Sequence, residues 1–412
     1  MLRRPTIKLP AHGGDDAHLR ARRTVDFGWS DASLKPRKGT AMLIDRRTLL
    51  AGSAAAFAAS PGLAQRKSAA SWFDRAIIID ALGGFGDPET PEGVSRYTDK
   101  TWADTVATGV TVVRDTVMPV GNIEDPWGTY KKDMAEKAAL FGANPDRLLH
   151  IRSAADILKA KRERKFGVVI GTQDTAMVGP VLDRLAELKK DGVMTVQLTY
   201  NNANLSGDGA IEPRNGGITK LGKVTIERIE AEKLLLDLSH GGATTMAEAA
   251  AHAKRPLVIS HSGARALTDH PRNVADPIIR AVADKGGVVG VYFMPFLRIG
   301  APATLDDVLA HIDHVANVAG EDHVGIGTDN GVLPMSEAMR KRQDDYSKER
   351  AKLGIAAPGE GVGVYPWVEQ LNRVDRYRLV AGELQKRGWS QLRLEKLMGG
   401  NFLRVYKEAW GG

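Results

Sequence analysis

Eight short apolar runs, mostly β-branched, recur along residues 76–329: AIIIDAL (76–82), VTVVRDTV (110–117), GVVIGTQ (167–173), MTVQLTY (194–200), KLLLDLSH (233–240), PLVISH (256–261), GVVGVYF (287–293) and HVGIGTD (323–329). Runs this continuous, with little polar alternation, predict strands buried on both faces. Between most of them the pattern changes to a helical period. PVLDRLAELKKDG (180–192), TTMAEAAAHAK (244–254), NVADPIIRAVADKG (273–286) and TLDDVLAHIDHVANVAG (304–320) space their apolar residues by three and four and end in glycine or a basic residue. Strands alternating with helices predict an α/β chain folded as a (β/α)8 TIM barrel of about 250 residues, with insertions. A doubly wound open sheet is the rival, but no glycine-rich nucleotide loop follows the first strand. Residues 334–366 are polar and read as a long loop or excursion. From 368 to 410 the helical pattern returns, so C-terminal helices follow the barrel.

Composition changes this picture in two places. The formal net charge is +7, yet residues 1–64 hold 11 Lys/Arg against 5 Asp/Glu and carry +6 of it. The remainder is nearly neutral, which excludes a basic nucleic-acid surface. The chain has no cysteine. Disulfides, thiolate metal sites and a cysteine nucleophile are therefore excluded, and any metal must sit on His, carboxylate or amide groups.

Residues 42–64, MLIDRRTLLAGSAAAFAASPGLA, place Arg46 and Arg47 before a weakly apolar alanine-rich run and a small-residue cleavage site. That order resembles a twin-arginine export signal, implying a periplasmic or exported protein with no stable membrane insertion. Export signals begin near a chain start, so residues 1–41 read as a non-native or disordered extension before Met42. The expected mature unit is one domain over residues 65–412.

Candidate chemistry sits at the strand ends. His240 and His261 close successive strands, 21 positions apart, about one strand-helix-strand step. Both imidazoles then reach the same C-terminal rim of the barrel, close enough to share a metal ion. Asp329 closes the last strand there, and Asp80 near the end of the first strand could approach the same point. Asn201, Asn202 and Asn204 follow the fourth strand as candidate ligand contacts. His311 and His314 fall mid-helix and read as structural; His270 and His323 read as loop or capping residues.

At this level the motifs DLSH (237–240), SHSGARALTDHPRN (260–273), GGVVGVYF (286–293), DHVGIGTD (322–329) and GGNFLRV (399–405) resemble the membrane (renal) dipeptidases, zinc peptidases built on a (β/α)8 barrel, across most of residues 76–410. The resemblance implies His240 and His261 as zinc ligands, Arg272 as the group that binds a substrate carboxylate, and Asp329 beside the activated water. It also exposes departures. The family's first strand ends in a His-x-Asp ligand pair; the matching positions here are Leu82 and Gly84. The glutamate that bridges two metals falls on Gln173, and a substrate-binding histidine falls on Tyr200. A neutral amide is a poor bridge between dications, so the expectation is one Zn2+ per chain on His240, His261 and Gln173 or Asp329. Asp329 is the expected catalytic base, with Arg272, Tyr200 and Asn201 binding substrate.

The implied function is hydrolysis of a dipeptide or similar small amide with a free carboxylate by a metal-activated water. The alternative is a non-hydrolytic or inactive relative that binds or matures a peptide-derived small molecule, as in siderophore maturation. The expected partner is a small molecule or dipeptide, with no nucleic acid. The family tendency adds a homodimer as an option.

Overall fold

The computed structural model describes residues 71–84, 86, 95–121 and 123–411; the expected extension 1–41 and signal 42–64 lie outside the described residues. All eight apolar runs form strands: β1 (Ile79–Asp80), β2 (Val112–Val117), β3 (Phe166–Thr172), β4 (Val193–Gln197), β5 (Leu235–Asp237), β6 (Val258–Ser262), β7 (Val288–Val291) and β8 (Val324–Ile326). They pair in parallel in that order. Every residue of β3 is buried, as expected for strands enclosed on both faces. A short strand, Leu148–His150, adds to β3 off this path.

The ring closes where β1 meets β8. Ala81 N donates to the Ile326 carbonyl (2.9 Å) and Asp329 N to the Leu82 carbonyl (2.8 Å). Just beyond, Gly83–Gly84 pairs in parallel with Asn330–Gly331. Asp80 belongs to this seam. Its carboxylate accepts from Thr328 Oγ1 (2.6 Å), Thr328 N (2.8 Å) and Tyr377 Oη (2.6 Å). Its acceptor capacity is spent on joining β1, the chain after β8 and the C-terminal helices, so it does not approach the metal candidates as the sequence allowed.

The expected helices form the outer layer at Arg184–Asp191, Ala243–His252, Asp276–Asp284 and Leu305–Ala319. Thr304 opens the last with a reciprocal capping box to Asp307. The final helix, Asn401–Trp410, seals the bottom of the barrel. Phe402, Val405, Tyr406 and Trp410 pack on the lower strand residues Ile79, Val112, Val169, Met194 and Leu235. A side chain at Gly325 would meet the Phe402 ring at 2.3 Å, so only glycine lets the helix close on β8.

Residues 334–366 differ from a plain loop. They contain a helix, Glu337–Lys352, of almost wholly polar sequence, which returns over the top of the barrel. With no apolar stripe to mark it, periodicity could not find it. Among the described residues, no helix is long and apolar enough to cross a membrane.

Candidate metal centre at the top of the barrel

β5 ends one turn before His240 and β8 just before Asp329, and both residues take left-handed backbone conformations, with φ of 63° and 58°. Non-glycine residues pay for that geometry, and it is retained where the side chain must be aimed. His261 lies within β6, where the register against β7 shifts between Ile259 and Ser262. The two rings meet edge-on, with centroids 4.9 Å apart. One ligand atom each from His240, His261 and Asp329 lies within 4.8 Å of the others.

The tautomers follow from the neighbours. Asn201 Nδ2 donates to the Ile355 carbonyl (2.7 Å), which turns its Oδ1 toward His240 Nδ1 (2.7 Å). That acceptor requires a proton on Nδ1 and leaves a lone pair on Nε2. Below His261, Asp237 takes the Ser260 hydroxyl proton (2.5 Å) and the Arg114 guanidinium (2.6 Å). Ser260 Oγ is then the acceptor for His261 Nδ1–H at 2.8 Å. Both Nε2 atoms are buried with no hydrogen-bond partner among the described residues. Buried polar atoms are rarely left so unless something else fills the position. Burial, reinforced by the Arg272 charge, holds both imidazoles well below their usual pKa, so they are neutral, the form that binds metal. Burial pushes Asp329 up to about 7, against the pull of Arg272 and Arg350.

A cavity of about 310 Å³ opens above these groups, lined by Gln173, Tyr200, His240, Arg272 and Asp329 among others. Arg272 is 3% exposed, and its Nη2 has no partner among the described residues. The nearby Asp269 is taken by Arg265 (2.7 Å), leaving the guanidinium for a ligand. Gln173 Nε2 donates to Thr116 Oγ1 (2.8 Å), so its amide is held in the wall of the cavity. Tyr200 stacks on His240 with centroids 4.2 Å apart, and its hydroxyl accepts from Arg350 Nη1 (2.7 Å). Leu82 and Gly84 line the same cavity and offer no donor atom. Two imidazoles and one carboxylate fit a single divalent cation; among the described residues, no further cluster of His, Asp or Glu completes a second site.

Two expectations change. Asn201 is fully buried with both ends of its amide committed, so it positions His240 and does not touch substrate. Asn204 is likewise spent, on Asp174 and the Leu198 carbonyl. His311 and His314 are structural as read. His311 accepts from Ala264 N (2.8 Å) and donates to the Leu297 carbonyl (3.2 Å), and His314 bonds Asp276 (2.8 Å). His270 bonds the Pro358 carbonyl and His323 the Gly287 carbonyl. Sequence reading missed Arg350, which reaches in from the polar excursion helix, and the Arg114–Asp237–Ser260 support. The latter had a signal: a charge inside each of two apolar runs, VTVVRDTV and KLLLDLSH.

A sequence profile of the membrane dipeptidase family, peptidase family M19, matches residues 131–343. The chain belongs to this family. The matched stretch carries His240, His261, Arg272 and Asp329, while β1 and the donor-less Leu82 and Gly84 that follow it lie before it. A Klebsiella pneumoniae relative, described only as an uncharacterized protein in the pqqA 5' region, is 30% identical over 297 residues, 69% of this chain and 98% of its own. Dipeptidase tcpJ of Claviceps purpurea is 27% identical over 267 residues, 64% of this chain but 56% of the relative. The chain thus spans little more than half the length of that curated dipeptidase. A crystal structure of an amidohydrolase from Pseudomonas aeruginosa is 29% identical, with a TM-score of 0.70 over 83% of this chain and 98% of its own. This family member therefore shares the barrel of the metallopeptidase family.

Proposed function

We propose that this chain is a hydrolase that uses one zinc ion to cleave a dipeptide or similar small amide bearing a free carboxylate. The carrying observation is the convergence of two unpartnered, neutral imidazole Nε2 atoms with Asp329, within 4.8 Å, at the base of a cavity that His240 and Asp329 line together with Arg272, whose Nη2 has no partner among the described residues. A divalent ion on His240, His261 and Asp329 or Gln173 would supply Lewis-acid polarisation of the scissile carbonyl and acidify a water. The residues do the rest. Arg272 holds the substrate carboxylate in its forked guanidinium. Asp329 accepts a proton from the attacking water at a carboxylate oxygen and can pass it to the leaving amine. Asn201 and Ser260 keep the proton on each Nδ1, and the Tyr200 ring shields one face of His240.

Elemental mass spectrometry on the chain purified without chelator tests this reading. About one zinc per chain, with hydrolysis in a dipeptide panel and loss of both in His240→Ala/His261→Ala, supports it. No bound metal after zinc is supplied overturns it. A second reading, a non-hydrolytic binding or maturation role on a peptide-derived small molecule, is favoured by the donor-less Leu82 and Gly84; zinc bound without turnover would select it. Export through the segment 42–64 is part of the proposal. Processing to a product that starts near Gln65, dependent on the twin-arginine translocase, checks it.

A further inference from the structure

A second cavity of about 700 Å³ adjoins the metal-site cavity and is walled by two loops, residues 295–303 and 358–367. The two cavities share Pro295, Phe296, Val364, Tyr365 and Trp367, so they are compartments of one cleft divided by an apolar and aromatic partition. The second compartment is electrically silent. Of the charged groups around it, Asp269 is held by Arg265 (2.7 Å) and Arg298 by Asp307 in a two-point contact. Glu369 accepts from Trp367 Nε1 (3.1 Å) and Arg340, and His270 Nε2 is spent on the Pro358 carbonyl (2.8 Å). What remains is apolar and unsatisfied: Ile299 is 64% exposed and Val364 41%. Exposed apolar surface concentrated beside a catalytic cavity is expected where a ligand covers it.

We propose that this compartment receives an uncharged, apolar side chain of the substrate, carried by the residue whose carboxylate binds Arg272. The placement follows from the turn 270–272. Arg272 N donates to His270 Nδ1 (3.2 Å), and the His270 ring stacks on Phe296 with centroids 4.4 Å apart. Phe296 belongs to both compartments, so the apolar space begins beside the backbone of the guanidinium that anchors the carboxylate. The substituent nearest that anchor is the side chain of the same residue. The unpartnered Arg272 Nη2 fixes one end of the ligand, and the neutral compartment selects the other by size and apolarity. The enzyme therefore prefers bulky aromatic or aliphatic C-terminal residues and rejects charged ones.

This rests on the carboxylate reading of Arg272, so the test separates the two. kcat/KM is measured for Gly-Ala, Gly-Leu, Gly-Phe, Gly-Trp and Gly-Glu, in both configurations of the second residue, with the zinc-loaded chain. Kd for the same compounds is measured by calorimetry on the zinc-free chain, where no metal-activated water is present and Arg272 and the compartment are unchanged. The expected result is at least a tenfold gain from Gly-Ala to Gly-Trp and no gain for Gly-Glu. Ile299→Glu, which puts a charge into the compartment, and Ala301→Trp, which fills it, each lower kcat/KM for Gly-Trp and Gly-Phe far more than for Gly-Ala, so the gain is lost. A graded Kd with no turnover on any compound sustains the compartment and overturns the hydrolase reading. A flat series, equal loss for every compound in Ile299→Glu, or no binding at all overturns the inference.

Discussion

At the scale of single residues, the site depends on which nitrogen of each histidine carries the proton, and that is settled one bond away from the cavity. Asn201 is the clearest case. Replacing it with leucine removes the acceptor for His240 Nδ1–H and one of the two side-chain donors to the Ile355 carbonyl, so either nitrogen of the imidazole can then carry the proton. Zinc affinity in Asn201→Leu falls about 10- to 100-fold, the usual size for an outer-shell partner of a metal-ligating histidine. Competition with a chromophoric chelator measures this; unchanged affinity would show that Asn201 does not set the tautomer. From the sequence, Asn201 was legible only as a polar residue after a strand, and such residues usually face the ligand. It is the chain just after the helix Glu337–Lys352, bringing the Ile355 carbonyl to Nδ2, that turns the amide inward, and no local pattern encodes a contact between residues 154 positions apart.

At the scale of elements, the barrel strands were readable because burial on both faces demands continuous apolar runs, and each exception marked something. Arg114 in β2 and Asp237 in β5 break their runs and meet inside the barrel at 2.6 Å, with side chains 1% and 0% exposed. Removing one partner leaves the other charged and desolvated, so Arg114→Met costs about 3–5 kcal/mol. Urea unfolding of the zinc-free chain reads this directly, and a loss below about 1 kcal/mol would show that the Arg114–Asp237 pair does not hold the barrel interior together. The helix Glu337–Lys352 was not readable, because it buries almost no apolar stripe; a few polar anchors fix it. Arg350 forks onto Glu360 (2.7 and 2.9 Å) and donates to Tyr200 Oη, tying the excursion to the ring that stacks on His240. Because the Glu360 side chain is 18% exposed, Arg350→Ala is expected to cost about 2–3 kcal/mol, less than a fully enclosed pair. Amide hydrogen exchange across residues 337–352 then quickens about 30- to 150-fold while β3 stays protected. Uniform quickening in both segments would instead report global destabilisation.

For the whole molecule, buried titratable groups outside the metal-ligand cluster set how stability responds to pH, and two of them oppose each other. Burial pulls His311 down to about 4, and burial pushes Asp80 up to about 6. Between pH 6.5 and 4 the unfolded chain carries a proton on His311 that the folded chain lacks, so this residue's contribution is lost as pH falls through that window. Asp80 has the opposite sign. Between about pH 6 and 3.9 the folded chain holds its proton more firmly than the unfolded one, so Asp80 gains stability for the fold as pH falls. The raw profile mixes the two and flattens between them. A His311→Gln chain separates them, since glutamine does not titrate while Asp80 and the metal ligands are unchanged in both proteins. The stability of the natural chain minus that of His311→Gln should drop by about 1–3 kcal/mol from pH 7 to 4.5, measured by urea midpoints at equal zinc. The slope belongs to a histidine that links Ala264, just after β6, to the Leu297 carbonyl, in the loop whose Phe296 and Arg298 line the apolar compartment. A difference that stays level with pH would show that His311 is protonated without breaking its contacts, and the link between β6 and that loop would then not be what acid disrupts.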